Sequence, residues 1–138
     1  FVRKHYDSQN MQTMQKDFKG DVNWFTIVSS AKGKQGYLES KALANKKYET
    51  EKMQSKAILL DSKGEIGKYF NVQHTPHLIV IDTNGKLVFS GGIDNVNSTD
   101  PADVPKARNY LRMALTQLQK GEKIKLNRPK AYGCSVKY

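Results

Sequence analysis

The chain has little of the chemistry on which many functional assignments depend. Its 138 residues contain one cysteine, Cys134, so the chain can form neither an internal disulfide nor a cysteine-based metal cluster. No apolar run approaches the ~20 residues that a transmembrane helix needs. The first residues also lack the charged, apolar and small-residue pattern of a signal peptide. These absences predict that the chain has no membrane span, and we expect neither a metal nor a cofactor.

Acidic residues are scarce as well. Lys and Arg number 23 against 13 Asp and Glu, which gives a net charge of +10. A charge of this size raises the question of a nucleic-acid partner. However, the lysines are spread along the whole chain, and no aromatic-basic RNA motif or recognition helix accompanies them. We predict no nucleic-acid partner, and a solvated basic surface that can attract acidic partners at low salt.

The length fits a single domain, residues 1–138. Helical and β-rich stretches alternate, which predicts an α/β fold with a mixed central sheet and helices on both faces. The predicted helices span residues 1–18, 37–53, 65–70 and 106–120, and the predicted strands span residues 22–29, 57–60, 77–82 and 87–91. We expect these strands to share one sheet, with Trp24, Phe25 and Ile27 in the core.

The clearest local signal is a hairpin. The step Thr75-Pro76 leads into the apolar run Leu78–Ile81, and Asn84-Gly85 then separates this run from a second β-rich stretch. Asn-Gly between two such runs indicates a hairpin, because both central residues of a type I′ turn need positive φ. A proline at the start of a strand removes only one backbone N–H donor at the edge of the sheet. The peptide bond before a proline is also the one that adopts the cis form at little cost in free energy.

Three stretches together resemble the thioredoxin-like superfamily. The resemblance is to its bacterial redoxin branch, related to alkyl hydroperoxide reductase, thiol-specific antioxidant proteins and TlpA-type thiol-disulfide oxidoreductases. The stretches are Phe-Val-Arg-Lys-His-Tyr (1–6), Thr-Pro-His-Leu-Ile-Val-Ile-Asp-Thr-Asn-Gly (75–85) and Tyr-Gly-Cys-Ser-Val-Lys-Tyr (132–138). The resemblance implies a thioredoxin-like fold in which the Thr75–Pro76 bond is cis and faces the redox cysteines.

The chain departs from this branch at its first residue. In proteins of the branch, a Cys-Pro dipeptide directly precedes Phe-Val-Arg, and the N-terminus of the helix stabilises the nucleophilic thiolate of that cysteine. We therefore expect the nucleophilic cysteine, and the first strand of the redox site, just upstream of Phe1 in an N-terminally truncated chain. The predicted first helix also has no Ser, Thr, Asp or Asn ahead of it as a cap, which agrees with this expectation.

The resemblance implies a thiol-disulfide oxidoreductase or a thiol peroxidase. Its substrate would be a protein disulfide or a peroxide, and its electrons would come from a thiol reductant. Cys134 is the candidate resolving thiol, and Thr75 and Pro76 are the platform against which the substrate packs. Arg3 in the first helical turn and, more weakly, His77 are candidate substrate-binding residues. Both the bacterial cytoplasm and the periplasm fit this chemistry.

Alternatives remain open at the sequence level. Cys134 can be a structural thiol, and Pro76 can be an ordinary trans proline. His74 and His77 are three residues apart and would point to opposite faces of a strand, which argues against a two-histidine metal site. For the whole chain, the alternative is a non-catalytic thioredoxin-fold module that binds acidic partners. The oligomeric state is not encoded in any pattern that we identify.

Overall fold

Helices and short strands alternate along the chain, and the computed structural model, which describes all 138 residues, is a mixed α/β structure. The helices are α1 (Val2–Asp7), α2 (Asn10–Asp17), α3 (Lys41–Thr50), α4 (Glu65–Tyr69), a 3-10 helix (Pro101–Lys106) and α5 (Tyr110–Gln119). The strands are β1 (Phe25–Val28), β2 (Ala57–Leu60), β3 (His74–Thr75), β4 (Leu78–Ile81), β5 (Leu87–Gly91) and β6 (Cys134–Ser135). None of the helices combines the length and apolar character that crossing a membrane requires.

The chain divides into two compact units. The first unit consists of Phe1–Ser8 and His74–Cys134, and the second consists of Gln9–Gln73 and Ser135–Tyr138. The predicted single helix over residues 1–18 is wrong, because it is interrupted between α1 and α2. Gln9, where the second unit begins, has a left-handed backbone with φ of 64°, which no α-helix can continue through.

The strands form three separate two-stranded sheets, so the prediction of one shared sheet is wrong. Strands β1 and β2 are parallel, with Phe25 opposite Ala57. Strands β4 and β5 are antiparallel, with Leu78 opposite Gly91, and the predicted hairpin is therefore confirmed. Strands β3 and β6 form the third pair. No strand among the 138 residues hydrogen-bonds one pair to another, and a sheet extends only through such bonds.

The hairpin turn is built around one aspartate. The Asp82 carboxylate accepts hydrogen bonds from the backbone N–H groups of Asn84 and Lys86, each at 2.9 Å. Gly85 has φ of 78°, whereas Asn84 does not have positive φ. The turn is therefore not the type I′ turn that the Asn-Gly pair predicts, because the aspartate stabilises a different loop through local backbone bonds. A β-bulge between Val80 and Ile81 accompanies it.

Each unit has its own apolar core. Buried residues of the first unit include Phe89, Ile93, Leu111, Ala114 and Leu115, and those of the second unit include Met11, Met14, Phe18, Ala44 and Met53. The prediction that Phe25 and Ile27 are core residues is wrong, since they are 46% and 41% exposed. Their strand belongs to a sheet of only two strands, which leaves part of its apolar surface uncovered.

Candidate functional site

The step between β3 and β4 carries the proline that the resemblance singles out. The Thr75–Pro76 peptide bond is cis, as predicted, and Pro76 is buried. Thr75 is the last residue of β3, so its carbonyl group lies at the edge where β6 runs alongside.

Gly133 brings two distant parts of the first unit together. A Cβ atom placed on Gly133 would overlap the carbonyl oxygen of Thr75 and lie 3.2 Å from the Cβ atom of Phe1. Gly133 also has φ of 119°, a backbone conformation that other residues rarely adopt. Only glycine fits this approach. Thr75, which precedes the cis proline, and Phe1, which caps α1, thus meet at the residue before Cys134.

Cys134 is exposed and begins β6, the strand that pairs with β3. Nδ1 of His74 lies 3.3 Å from the carbonyl oxygen of Gly133. A resolving role for Cys134 requires the end of the chain to fold back towards the first helix, and Tyr132 and Gly133 meet this requirement. The structure therefore brings Gly133, the residue before Cys134, together with Thr75 and the N-terminal end of α1.

A buried charged cluster, which we call the Asp94 cluster (Lys4, His5, Asp94 and Tyr132), lies next to this junction. The hydroxyl group of Tyr132 donates to Oδ1 of Asp94 at 2.5 Å. Nζ of Lys4 lies 3.9 Å from the same oxygen, and Nε2 of His5 lies 3.8 Å from Oδ2. Lys4, His5 and Asp94 are all at most 2% exposed.

Three further contacts complete the cluster. Nζ of Lys4 donates to the carbonyl oxygen of Val96 at 2.6 Å and lies 4.9 Å from the ring centre of Tyr132. The same ring makes an edge contact with Phe1, with 6.0 Å between the ring centres. Because buried charges are costly unless they are paired and hydrogen-bonded, these contacts are what allow Lys4 and Asp94 to be buried.

Burial shapes the proton affinities of the cluster. Desolvation lowers the pKa of His5 to about 4, although the Asp94 carboxylate opposes this shift; Lys4 adds to the lowering. Desolvation, together with the hydrogen bond to Asp94, raises the pKa of Tyr132. At neutral pH, His5 is therefore a neutral imidazole and Tyr132 a neutral donor.

Each of the two candidate substrate-binding residues contacts a nearby polar side chain. Arg3 is exposed and forms an ion pair with Asp7, one turn along α1, at 2.6 Å. Nε2 of His77 lies 2.8 Å from the hydroxyl oxygen of Ser90 in β5. Partial burial, with a smaller effect of His74, lowers the pKa of His77.

Sequence reasoning missed Lys4, Asp94 and Tyr132 as members of one cluster. Lys4 and Tyr132 belong to the first and last of the three stretches that carry the resemblance, so these stretches contained a signal. Their charged partner Asp94 lies between them in sequence, and no motif in its neighbouring residues marks it as a buried aspartate. No group of three or more His, Cys, Asp or Glu residues in the chain could hold a metal ion.

Comparison with known proteins identifies structures with the same fold, but their titles describe no activity. No protein-family model matches the chain, and no curated protein matches it significantly in sequence. An uncharacterized conserved protein from Geobacillus kaustophilus superposes with a TM-score of 0.81 at 22% identity, over 100% of this chain and 70% of that chain. A hypothetical protein from Sinorhizobium meliloti 1021 superposes with a TM-score of 0.77 at 18% identity, over 95% of this chain and 70% of that one. The chain thus shares its fold with these two bacterial proteins.

Proposed function

We propose that the chain is part of a thiol-disulfide oxidoreductase or thiol peroxidase with a thioredoxin-like fold, in which Cys134 is the resolving thiol. The observation that carries the proposal is the junction of Gly133–Cys134 with Thr75 and Phe1. In the redoxin branch that the sequence resembles, the nucleophilic cysteine stands directly before the residue that corresponds to Phe1. The only thiol of the chain lies next to a residue that touches Phe1.

The disulfide reaction proceeds in two exchanges. The thiolate of the preceding cysteine attacks one sulfur of a substrate disulfide, forms a mixed disulfide and releases the other substrate sulfur as a thiolate, which takes up a proton. The thiolate of Cys134 then attacks the enzyme sulfur of the mixed disulfide. This step forms the internal disulfide and releases the second substrate thiol. An external dithiol returns both cysteines to the reduced state.

With a peroxide, the same two thiols perform a different first step. The thiolate attacks one peroxide oxygen, the O–O bond breaks, and the products are a sulfenic acid and an alcohol or water. Cys134 then condenses with the sulfenic acid and releases water. In both reactions Cys134 acts second, and the approach of the neighbouring Gly133 to Thr75 and Phe1 is what would bring it near the first sulfur.

The test is to add Cys-Pro directly before Phe1. We expect the extended chain to reduce an insulin disulfide or a hydroperoxide with a dithiol reductant, and the chain without the extension to show no turnover. Replacing Cys134 by Ser in the extended chain should slow resolution and let the mixed disulfide or sulfenic acid accumulate, while the first oxidation keeps its rate. If the Cys134→Ser variant resolves as fast as its parent, Cys134 is structural and the proposed role is wrong.

A second candidate, a non-catalytic module that binds acidic partners, is favoured by a different observation. The second unit exposes several lysines along one loop and α3, namely Lys32, Lys34, Lys41 and Lys46. Binding of a poly-glutamate peptide that weakens steeply with salt, and that Cys134→Ser leaves unchanged, would support this function. Absence of such binding at low salt would contradict this second candidate function.

A further inference from the structure

We infer that Tyr132 is a positioning residue, and that the buried pair Lys4–Asp94 holds it so that Gly133–Cys134 stays beside Thr75 and Phe1. For its part in resolution, this inference rests on the proposed function. The position itself is a property of the chain as it stands, and it can be measured on the single thiol.

The Tyr132 side chain is held from three directions. Its hydroxyl group donates to Asp94, its ring face receives the ammonium group of Lys4, and its ring edge meets Phe1. Hydrogen bonds to a charged acceptor are about twice as strong as those between neutral groups. These contacts fix both the depth and the rotation of the ring, which apolar packing alone would not do.

The acceptor, Asp94, is itself held by backbone hydrogen bonds. Oδ1 of Asp94 also accepts from the backbone N–H of Val96 at 2.9 Å, and the backbone of Asp94 bridges to Asn109, the cap of α5. Lys4 is bound at its ammonium group to the Val96 carbonyl, so the lysine and the aspartate are fastened to the same loop. Tyr132 is thereby tied both to α1 and to the start of α5.

Stability alone does not account for such a cluster. A buried ion pair gains little over apolar side chains of the same volume, because desolvation offsets its attraction, whereas in several proteins buried polar groups select one arrangement over others. The arrangement it favours here is that of the residue two before Cys134. Gly133, the residue between them, lies so close to the Thr75 carbonyl that a side chain at this position would not fit.

The deciding experiment is a nitroxide spin label on Cys134, which as the only thiol is labelled uniquely. The Tyr132→Phe variant removes the hydroxyl group but keeps the ring against Phe1 and Lys4. We expect the ratio of mobile to ordered label populations, read from the EPR spectrum, to rise about tenfold, since the lost bond goes to a carboxylate. Tyr69→Phe, at an exposed tyrosine of α4, is the matched control and should leave the ratio unchanged.

A second control separates positioning from general stability. Phe89→Leu reduces packing in the core of the first unit and keeps all four side chains of the Asp94 cluster, and it should not change the label ratio in the folded protein. If Phe89→Leu raises the ratio as much as Tyr132→Phe, or if Tyr132→Phe leaves it unchanged, the inference is overturned.

The same variant in the chain extended by Cys-Pro links position to function. There, Tyr132→Phe should lower the equilibrium constant for the internal disulfide against glutathione by about tenfold, because the effective concentration of the two thiols falls. A changed label ratio without turnover in the extended parent would refute the proposed function and leave the positioning role intact. An unchanged label ratio refutes the positioning role whatever the turnover.

Discussion

Two tyrosines near the end of the chain are anchored in different ways. Tyr132 of the first unit donates to the buried Asp94 carboxylate and lies under the ammonium group of Lys4. Tyr138 of the second unit donates to the backbone carbonyl of Val72, and its ring covers Gly64 and Gly67. The first anchor depends on charges that are withdrawn from water, whereas the second depends on a neutral acceptor and on glycines that make room for a ring.

The two anchors differ in how much they depend on a single atom. In a buried, low-dielectric site a hydrogen bond is stronger, and the loss of one partner leaves the others unsatisfied. Tyr138 is 38% exposed, so water can replace its hydrogen bond. The surroundings of Tyr138 also include Asp61, which accepts from the Ser29 hydroxyl and the Gly67 N–H. Partial burial would raise the pKa of Asp61, but these hydrogen bonds lower it overall.

The largest expected effect is at the centre of the Tyr132 anchor. Asp94→Asn keeps the shape of the side chain but leaves the buried Lys4 charge without its counter-charge. We expect a loss of about 3–5 kcal/mol in the free energy of unfolding, as is found when one partner of a buried ion pair is removed. Urea denaturation followed by circular dichroism measures it.

The control for Asp94→Asn is the double variant Lys4→Met with Asp94→Leu, which removes both charges. It should be more stable than Asp94→Asn alone, because no unpaired charge then stays buried. If Asp94→Asn unfolds at the urea concentration of the parent, the cluster is not an energetically coupled unit, and the contrast between the two anchors disappears.

The direct comparison of the anchors comes next. Tyr132→Phe should cost about 1.5–3 kcal/mol, since it removes a hydrogen bond to a charged acceptor, and Tyr138→Phe about 0.5–1.5 kcal/mol. Both substitutions keep the ring, so the difference isolates the hydroxyl group in each setting. Parallel urea titrations of the two variants provide the measurement. Equal losses would show that burial of the acceptor does not distinguish the two sites.

Glycine substitutions sharpen the same comparison. At Gly133 the obstacle to a side chain is the Thr75 backbone, whereas at Gly67 it is the ring of Tyr138. A side chain can rotate away from an added methyl group, but backbone within a strand cannot. We expect Gly133→Ala to cost about 1–3 kcal/mol and Gly67→Ala, within α4, to cost less. Thermal unfolding of both, with Gly20→Ala in open space as the control, tests the order.

The parts of the structure that could be predicted are those that depend on neighbouring residues. The β4–β5 hairpin and the cis Thr75–Pro76 bond follow from short motifs, although the turn type was wrong because Asp82 outweighs the Asn-Gly preference. Strand β2 and helix α4 lie close to their predicted bounds.

The Asp94 cluster could not be predicted in the same way. Lys4, Asp94 and Tyr132 meet only in the folded chain, and a lysine in a basic sequence is expected at the surface rather than in the core. The exposure of Phe25 and Ile27 escaped prediction for a related reason. An apolar strand pattern shows which residues favour burial, but not how many strands are there to cover them.

The smallest expected effect concerns pH and the imidazole of His5 in the Asp94 cluster. Burial lowers the pKa of His5 from 6.5 to about 4 in the folded chain. Between these two values the unfolded chain binds a proton at His5 that the folded chain does not, so the free energy of unfolding falls as the pH falls through this interval. His77, whose pKa is also lowered, adds a contribution of the same sign.

From about pH 7 to about pH 5.5 we expect the free energy of unfolding to fall by about 1 kcal/mol because of His5. Urea titrations at several pH values measure the slope, and His5→Gln should reduce it. A slope that His5→Gln leaves unchanged would show that His5 does not control it, and that the acid sensitivity of the Tyr132 anchor has another source.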